Sequence, residues 1–280
     1  LYFFKKMKLA LISTSDKTNL SVLCKFLLDN DYNIISTGGT FNYIVEQLDL
    51  KNNKKLRKRV IQVSDYTGFP EILNGRVKTL HPKIYGGLLY DPTMESHMKD
   101  FSDFNGSNNP TYNIERIDLV VVNLYPFQKV VLSGCSEEEA IENIDIGGVS
   151  LIRASSKNYK NVLLLTSPLD YQSFIDSYKC YENLETFKKS MALKGFEYVT
   201  EYDQAITSYF DNRIRYRKYV QQERLKYGCN PYQDNAKILF HQNDSTGFLP
   251  FTEGEGLTGG GGAATLVAAG VDADSDAFST

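Results

Sequence analysis

The chain has 280 residues, 42% of them hydrophobic, and a formal net charge of −3. That length supports one large domain or two small ones with a real core, and the near-neutral balance excludes a bulk nucleic-acid footprint. The charge is uneven, because beyond Phe251 the only charged residues are Glu253, Glu255, Asp272, Asp274 and Asp276. Removing those five from the 34 acids leaves 29 against 31 Lys and Arg, so residues 1–251 carry about +2. A mild basic excess suits an anionic small ligand, though composition alone does not identify one.

The opening residues LYFFKKMKLALIS hold an apolar run after Lys8 that is too short for a signal segment, and six residues precede Met7, which reads as the start. Residues 8–13, KLALIS, then form a short apolar run expected as a buried strand. In the stretch that follows, Asp16 or Thr18 is expected to cap a helix with Leu20, Leu23, Phe26 and Leu27 on one face. NIISTGGT (33–40) reads as a second strand ending in a Gly turn, followed by helical FNYIVEQL. Lys-rich 51–59 reads as a solvated loop before a third strand, VIQV (60–63). IDLVVVNLYPF (117–127) is the most apolar strand, as burial on both sheet faces requires. SEEEAIENI has acids in the first turn of a helix, and GGVSLIRASS reads as another. NVLLLTS (161–167) is a strand, while PLDYQSFIDSY and 183–212 read as helices.

Strands alternating with helices give an α/β class with a mainly parallel sheet, whose ligands bind at the carboxyl ends of the strands. The last 29 residues, rich in Gly, Ala, Asp and Ser, are expected to be disordered or foreign to the rest. Cys24, Cys135, Cys180 and Cys229 form no metal or CxxC spacing, nor do His81, His97 and His241. Free thiols in a reducing compartment follow, and no apolar run approaches the roughly 20 residues that span a bilayer. A cytosolic protein is the expectation.

Chemistry-bearing residues fall just past strand ends. Ser15, Asp16, Lys17 and Thr18 follow the first strand, and Thr37, Gly38, Gly39 and Thr40 the second. Gly-rich turns entering helices present N–H groups to phosphate, with a plain strand-to-helix turn as the alternative. In NGRVKTLHP (74–82), Arg76, Lys78, Thr79 and His81 are grouped. The alternative there is a solvated basic turn, but Leu80 and Pro82 among the charges suggest a packed loop. Asn123 and Tyr125 end the most apolar strand. NIDIGGVSLIRASSKN adds Asp145, Gly147, Gly148, Arg153 and Lys157, with Asp145 open to reading as a helix cap. An unbroken helix from Gly147 to Lys157 would rise about 15 Å, so Asp145 and Lys157 share a site only if the helix is short or bent, or if the lysine reaches back.

These blocks in this order resemble the bifunctional purine-biosynthesis enzymes that join AICAR transformylase to IMP cyclohydrolase. The likeness is carried by SDKT (15–18), STGGT (36–40), VSDYTGFPEILNGRVKTLHPKIYGGLL (63–89), IDLVVVNLYPF (117–127), EEAIENIDIGGVSLIRASSKN (138–158), TEYDQAITSYF (200–210) and LKYGCNPYQ (225–233), and it covers about residues 8–251. It implies a methylglyoxal-synthase-like three-layer α/β sandwich around a mainly parallel sheet. Residues 7–216 would be the cyclohydrolase domain, 217–251 the truncated start of a transformylase domain, and 252–280 a tail. The implied reaction closes the purine ring of 5-formamidoimidazole-4-carboxamide ribonucleotide to IMP with loss of water. It needs neither metal nor organic cofactor.

By that resemblance Ser15, Lys17, Thr37, Gly39 and Thr40 hold the 5′-phosphate, with Thr37 standing where Ser is common. Arg76, Lys78 and Thr79 line the nucleotide and the reaction centre. Asn123, Tyr125 and Asp145 lie by the base, Ile146 and Gly147 offer N–H groups to an oxyanion, and Lys157 matches an active-site lysine. Lys78 is assigned to the oxyanion, and Asp145, Tyr125 and Lys157 to proton transfer. The implied partners are the purine nucleotide, its product and a second copy in a homodimer, with no nucleic acid and no membrane. Departures appear at Lys226 and Tyr232, where Arg and His are usual, and the transformylase Lys–His block is absent. Formyl transfer from 10-formyltetrahydrofolate is therefore not expected of this chain. Two other readings compete: a non-catalytic phosphate or nucleotide sensor, like the regulatory domain of carbamoyl phosphate synthetase, and a destabilised fragment with an exposed apolar patch.

Overall fold

The computed structural model of the chain describes residues 7–106, 113–179, 184–211, 213–214, 216, 219–224 and 237–241. Two compact units divide it, residues 1–211 and 212–280. In chain order the first holds β1 (Lys8–Thr14), α1 (Leu20–Asp29), β2 (Tyr32–Ser36), α2 (Gly38–Gln47), α3 (Lys54–Arg57), β3 (Val60–Gln62) and α4 (Val63–Thr67). After a short 3₁₀ turn at Leu73–Gly75 come α5 (Pro82–Leu89), α6 (Glu95–Asn105), β4 (Leu119–Asn123), α7 (Phe127–Leu132), α8 (Glu137–Glu142) and α9 (Gly147–Lys157). β5 (Leu163–Leu165), α10 (Asp170–Lys179) and α11 (Leu184–Phe210) complete the unit. In the second unit β6 (Tyr219–Arg224) pairs antiparallel with β7 (Lys237–His241). The 252–280 tail and the LKYGCNPYQ block lie outside the described residues.

The five strands of the first unit pair in the order β3-β2-β1-β4-β5, and every pairing is parallel. Alternation along β1 explains the three layers: Ala10 and Ile12 face one side, Leu9 and Leu11 the other, and all four are buried. Leu20, Leu23 and Leu27 of α1, Phe41 and Ile44 of α2 and Phe174 of α10 pack on the first face. Ile84 and Leu88 of α5, Leu151 and Ile152 of α9 and Val199 and Tyr202 of α11 pack on the second. Both faces of β4 are covered, which is why LVVVN carries no exposed position. Among the described residues no helix is long and apolar enough to cross a membrane.

Several local expectations are corrected. Neither Asp16 nor Thr18 caps α1. Asn19 occupies the N-cap in a left-handed conformation with no side-chain bond, and Asp16 instead accepts from the Thr18 N–H at 2.9 Å. Phe26 is only partly buried at the edge of its cluster. The glycines of STGGT begin α2 rather than preceding it. Within Lys-rich 51–59 lies one helical turn, α3, its start held by the Asn53 side chain accepting from the Leu56 N–H.

The long helix α11 meets β5 and α9 at Gly195. A Cβ there would lie 2.5 Å from both Leu164 Cδ2 and Ser156 Oγ. Alanine normally stabilises a helix by about 1 kcal/mol over glycine, but overpacking costs about 1–3 kcal/mol. Gly195→Ala is therefore expected to lower stability by up to about 2 kcal/mol, read as a lower urea midpoint at unchanged slope. A higher midpoint would show that α11 can move outward freely.

Candidate active site

Parallel strands deliver β1, β2, β3 and β4 to one carboxyl edge, where Thr14 is level with Asn123 and Ser36 with Gln62. The order reverses between β1 and β4, so the loops after them diverge and leave a crevice. Asn123 ties its two sides together. Its Oδ1 accepts from the Ser15 N–H at 2.7 Å and the Asp16 N–H at 2.9 Å, and its Nδ2 donates to the Asp16 carbonyl at 2.9 Å. Both acceptor positions of the amide are thus committed. Asn123 shapes the Ser15–Lys17 loop instead of presenting its oxygen to a base.

Thr40 is similarly committed. Its buried hydroxyl accepts from the Thr14 N–H at 3.2 Å and donates to the Thr14 carbonyl at 3.1 Å. What remains open to an anion is the start of α2. No side chain caps it, and nothing lies within 4 Å of where a Cβ would stand on Gly38 or Gly39. The first N–H groups of a helix lack internal acceptors and carry partial positive charge. Thr37 and Gly38 line one small cleft with Gln62, Ser64, Phe69, Glu71 and Lys78. The β2–α2 loop and the basic loop therefore share a wall. Lys17 stays beside this loop, its ammonium 3.3 Å from the Ser15 carbonyl.

The basic loop turns through left-handed conformations at Leu73 (φ 54) and Asn74 (φ 53). Its cations diverge. Arg76 is exposed and paired with Glu142 at the end of α8, which ties the loop to the Asp145 segment. Lys78 pairs with Glu71 at 2.8 Å, with side-chain exposures of 31% and 44%. A pair that exposed is worth about 0–1 kcal/mol, so an incoming anion can displace Glu71. Thr79 is buried, and its Oγ1 would be 3.2 Å from a Cβ on Gly147. The His81 Nδ1 accepts from the Lys83 N–H at 3.1 Å and caps α5, a packing role.

Asp145 lies where the elements meet. Its Oδ1 accepts from the Gly148 N–H at 2.7 Å, so it caps the first turn of α9 as one reading had it. The Tyr125 N–H also faces the carboxylate and favours its charged form. A Cβ on Gly148 would lie 2.7 Å from both Asp145 Oδ2 and Leu124 Cδ2, which accounts for the second glycine of IDIGG. Burial raises the Asp145 pKa from its ordinary value, while the N–H groups of Gly148 and Tyr125 and the charge of Lys78 pull the other way. The Tyr125 side chain, just past the end of β4, is half-exposed.

Lys157 is not brought to this group. α9 is unbroken from Gly147 to Lys157, which puts Lys157 about 15 Å along the axis, exposed at the far end. Four residues that the sequence reading passed over do reach the site: Glu71, Glu142, Tyr198 and Tyr202. The Tyr198 hydroxyl accepts from the Leu124 N–H at 3.1 Å. The Tyr202 hydroxyl accepts from the Asp145 N–H at 2.8 Å and donates to the Asn143 carbonyl at 3.1 Å. Their one available signal was two tyrosines four apart on a helix, which share a face. Among the described residues no group of three or more His, Cys, Asp or Glu could hold a metal ion.

Because the folded pKa of Asp145 is raised, the native state holds its proton more tightly than the unfolded chain. Its contribution to stability is then present at low pH and lost as pH rises from about 4, the unfolded value. Asp145→Asn removes that titration. Its stability relative to the parent is expected to increase between pH 4 and pH 7, measured by urea midpoints at each pH. A difference that is flat or falls with pH would contradict the burial argument.

Two family models match the sequence: the MGS-like domain over residues 19–150 and the AICARFT/IMPCHase bienzyme over residues 155–259. The bifunctional purine biosynthesis protein PurH of Prochlorococcus marinus (strain MIT 9301) is 44% identical over 232 residues, which is 80% of this chain and 42% of the relative. PurH of Leptospira biflexa serovar Patoc (strain Patoc 1 / Ames) is 43% identical over 241 residues, covering 82% of this chain and 44% of the relative. A solved structure described as "Crystal structure of ForH" superposes with a TM-score of 0.56 at 27% identity, covering 73% of this chain and 100% of its own. The chain spans less than half the length of the curated relatives it matches.

Proposed function

The chain belongs to the AICARFT/IMPCHase bienzyme family and carries its MGS-like domain, and we propose that its first unit is an IMP cyclohydrolase. The substrate is 5-formamidoimidazole-4-carboxamide ribonucleotide. The carboxamide nitrogen attacks the formyl carbon, a C–N bond forms, and the formyl oxygen leaves as water. The observation that carries this reading is the meeting of the basic loop with the start of α9 at a desolvated Asp145: the Lys78 charge acts on the carboxyl, Thr79 stands against Gly147, and Asp145 accepts from the Gly148 N–H.

Each part has a task in that reaction. The start of α2, at Thr37–Gly39, takes the 5′-phosphate, with Lys17 and Ser15 from the adjoining loop. Nucleophile and electrophile share one ring, so the attack is already intramolecular. The barrier that remains is charge and proton movement, since the amide lone pair is delocalised and the formyl oxygen becomes anionic. Lys78, leaving Glu71, and the N–H groups of Ile146 and Gly147 stabilise that oxygen. Asp145 takes one proton from the attacking nitrogen and passes it to the formyl oxygen. The C–O bond then breaks as the formamido nitrogen gives up its own proton and forms the ring C=N bond, so that the oxygen leaves as water. Burial raises the Asp145 pKa and so makes it a stronger base for the first transfer. The half-exposed Tyr125 phenol is assigned to relay the proton. A sensor of phosphate alone would leave the desolvated Asp145 without a use.

The purified full chain is expected to convert the formamido nucleotide to IMP with no folate and no metal added, followed by the absorbance of the product. Lys78→Ala is expected to lower kcat by about 100- to 1,000-fold. Absence of turnover by the parent chain, with analogue binding intact, would overturn the enzymatic reading and favour a sensor.

A further inference from the structure

Tyr198 and Tyr202 take no part in the chemistry proposed above, yet both hydroxyls reach the loops that hold Asp145. They are four residues apart on α11 and so lie one turn apart on one face. Tyr202 is 8% exposed and packs edge-on against Phe127, with ring centroids 6.2 Å apart. Its hydroxyl bridges the α8–α9 connection, bonding the Asp145 N–H and the Asn143 carbonyl. Tyr198 holds the Leu124 N–H after β4, and the next N–H along, that of Tyr125, acts on the Asp145 charge. One tyrosine thus anchors the backbone that carries the carboxylate. The other anchors the backbone whose N–H faces it.

We infer that Tyr198 and Tyr202 are positioning residues, which set the Asp145 carboxylate against the Gly148 and Tyr125 N–H groups and so fix where it meets the reacting nitrogen. The inference rests on the ring-closure reading for its kinetic part only. Both tyrosines belong to a helix already seated by Gly195 on β5 and α9, so the anchor is rigid. Removing the Tyr202 hydroxyl leaves the Asp145 N–H and the Asn143 carbonyl without that partner, and the connection can relax. The N–H bonds to the carboxylate then lengthen. Since they favour its charged form, the Asp145 carboxyl becomes harder to ionise.

The groups acting on Asp145 are Lys78 from the basic loop, the N–H groups of Tyr125 and Gly148, and the two phenols of α11. Burial pushes the Tyr202 phenol up to about 12 and the Tyr198 phenol upward as well. Neither phenol carries charge where Asp145 titrates, and Lys78 is the same in parent and variants. Any change in titration therefore reports the N–H geometry.

The test uses the full chain with ¹³C-labelled Asp carboxyls, as parent, Tyr198→Phe, Tyr202→Phe and Tyr178→Phe. The last removes a hydroxyl that bonds Lys8 at the opposite sheet edge. The Asp145 titration midpoint is expected to move upward in Tyr202→Phe and, to a smaller extent, in Tyr198→Phe, and to stay put in Tyr178→Phe. With the formamido nucleotide, kcat is expected to fall by about 10- to 100-fold in Tyr202→Phe with KM little changed, and the acid limb of the kcat profile to move to higher pH. A folded Tyr202→Phe with parental titration overturns the inference, whatever its turnover. If Tyr202→Phe does not fold, Tyr198→Phe decides by the same criterion. Shifted titration in variants of a chain that never turns over would sustain the positioning role and sink the cyclohydrolase reading instead.

Discussion

The shared direction of five parallel strands governs everything chemical in the first unit. Each strand releases its chain at the same edge, so short loops from Thr14, Ser36 and Asn123 arrive within reach of one another without long excursions. At the β1–β4 reversal the sheet alone would leave those loops splayed. Asn123 closes the gap with three hydrogen bonds to two successive residues, Ser15 and Asp16. A buried amide can hold a loop this firmly because its bonds are shielded from water and its partners are backbone groups that would otherwise go unpaired. Residues that look like ligand contacts by position, Asn123 and Thr40, turn out to be the fasteners of the contact surface.

Much of the fold was legible because burial on both faces writes itself into the sequence as unbroken apolar runs. LALI and LVVV are strands for that reason, and α1 and α2 show the helical stripe of a one-sided burial. The short helices α4, α5 and α7 left no such trace. Each of them spans only 5–8 residues, too few for a periodicity to stand out, and docking against the sheet keeps them helical. α5 did carry a local signal, Pro82 at its first position after a capping His81, and it was read only as a loop. The first strand-to-helix connection failed differently. Asp16 bonds locally, as its type prefers, but one turn too early to cap α1.

The loops of the site were legible as loops, since Gly and charge after a strand are unmistakable. Their internal wiring was not. Arg76 and Glu142 are 66 residues apart, and nothing in either neighbourhood names the other. Lys157 shows the opposite case, where simple arithmetic on helix rise already raised the separation that α9 imposes. Sequence spacing is a reliable ruler inside one regular element and a poor one between elements.

Asp145 explains why α11 is part of the site at all. Burying a carboxyl raises the cost of its charge, and the pull of Lys78 and two N–H groups offsets that only in part. A group left in such tension moves to wherever water or a cation offers relief unless its backbone is held. The connections on either side of Asp145 are short, only Asn143–Ile146 between α8 and α9 and Leu124–Pro126 between β4 and α7. A 27-residue helix that is packed on β5 and α9 supplies that hold. The rigidity of a core helix is thereby lent, through two phenol hydroxyls, to a carboxylate whose usefulness depends on being uncomfortable. Under the proposed ring closure, the same coupling would make α11 a place where a packing change acts on proton transfer as well as on stability.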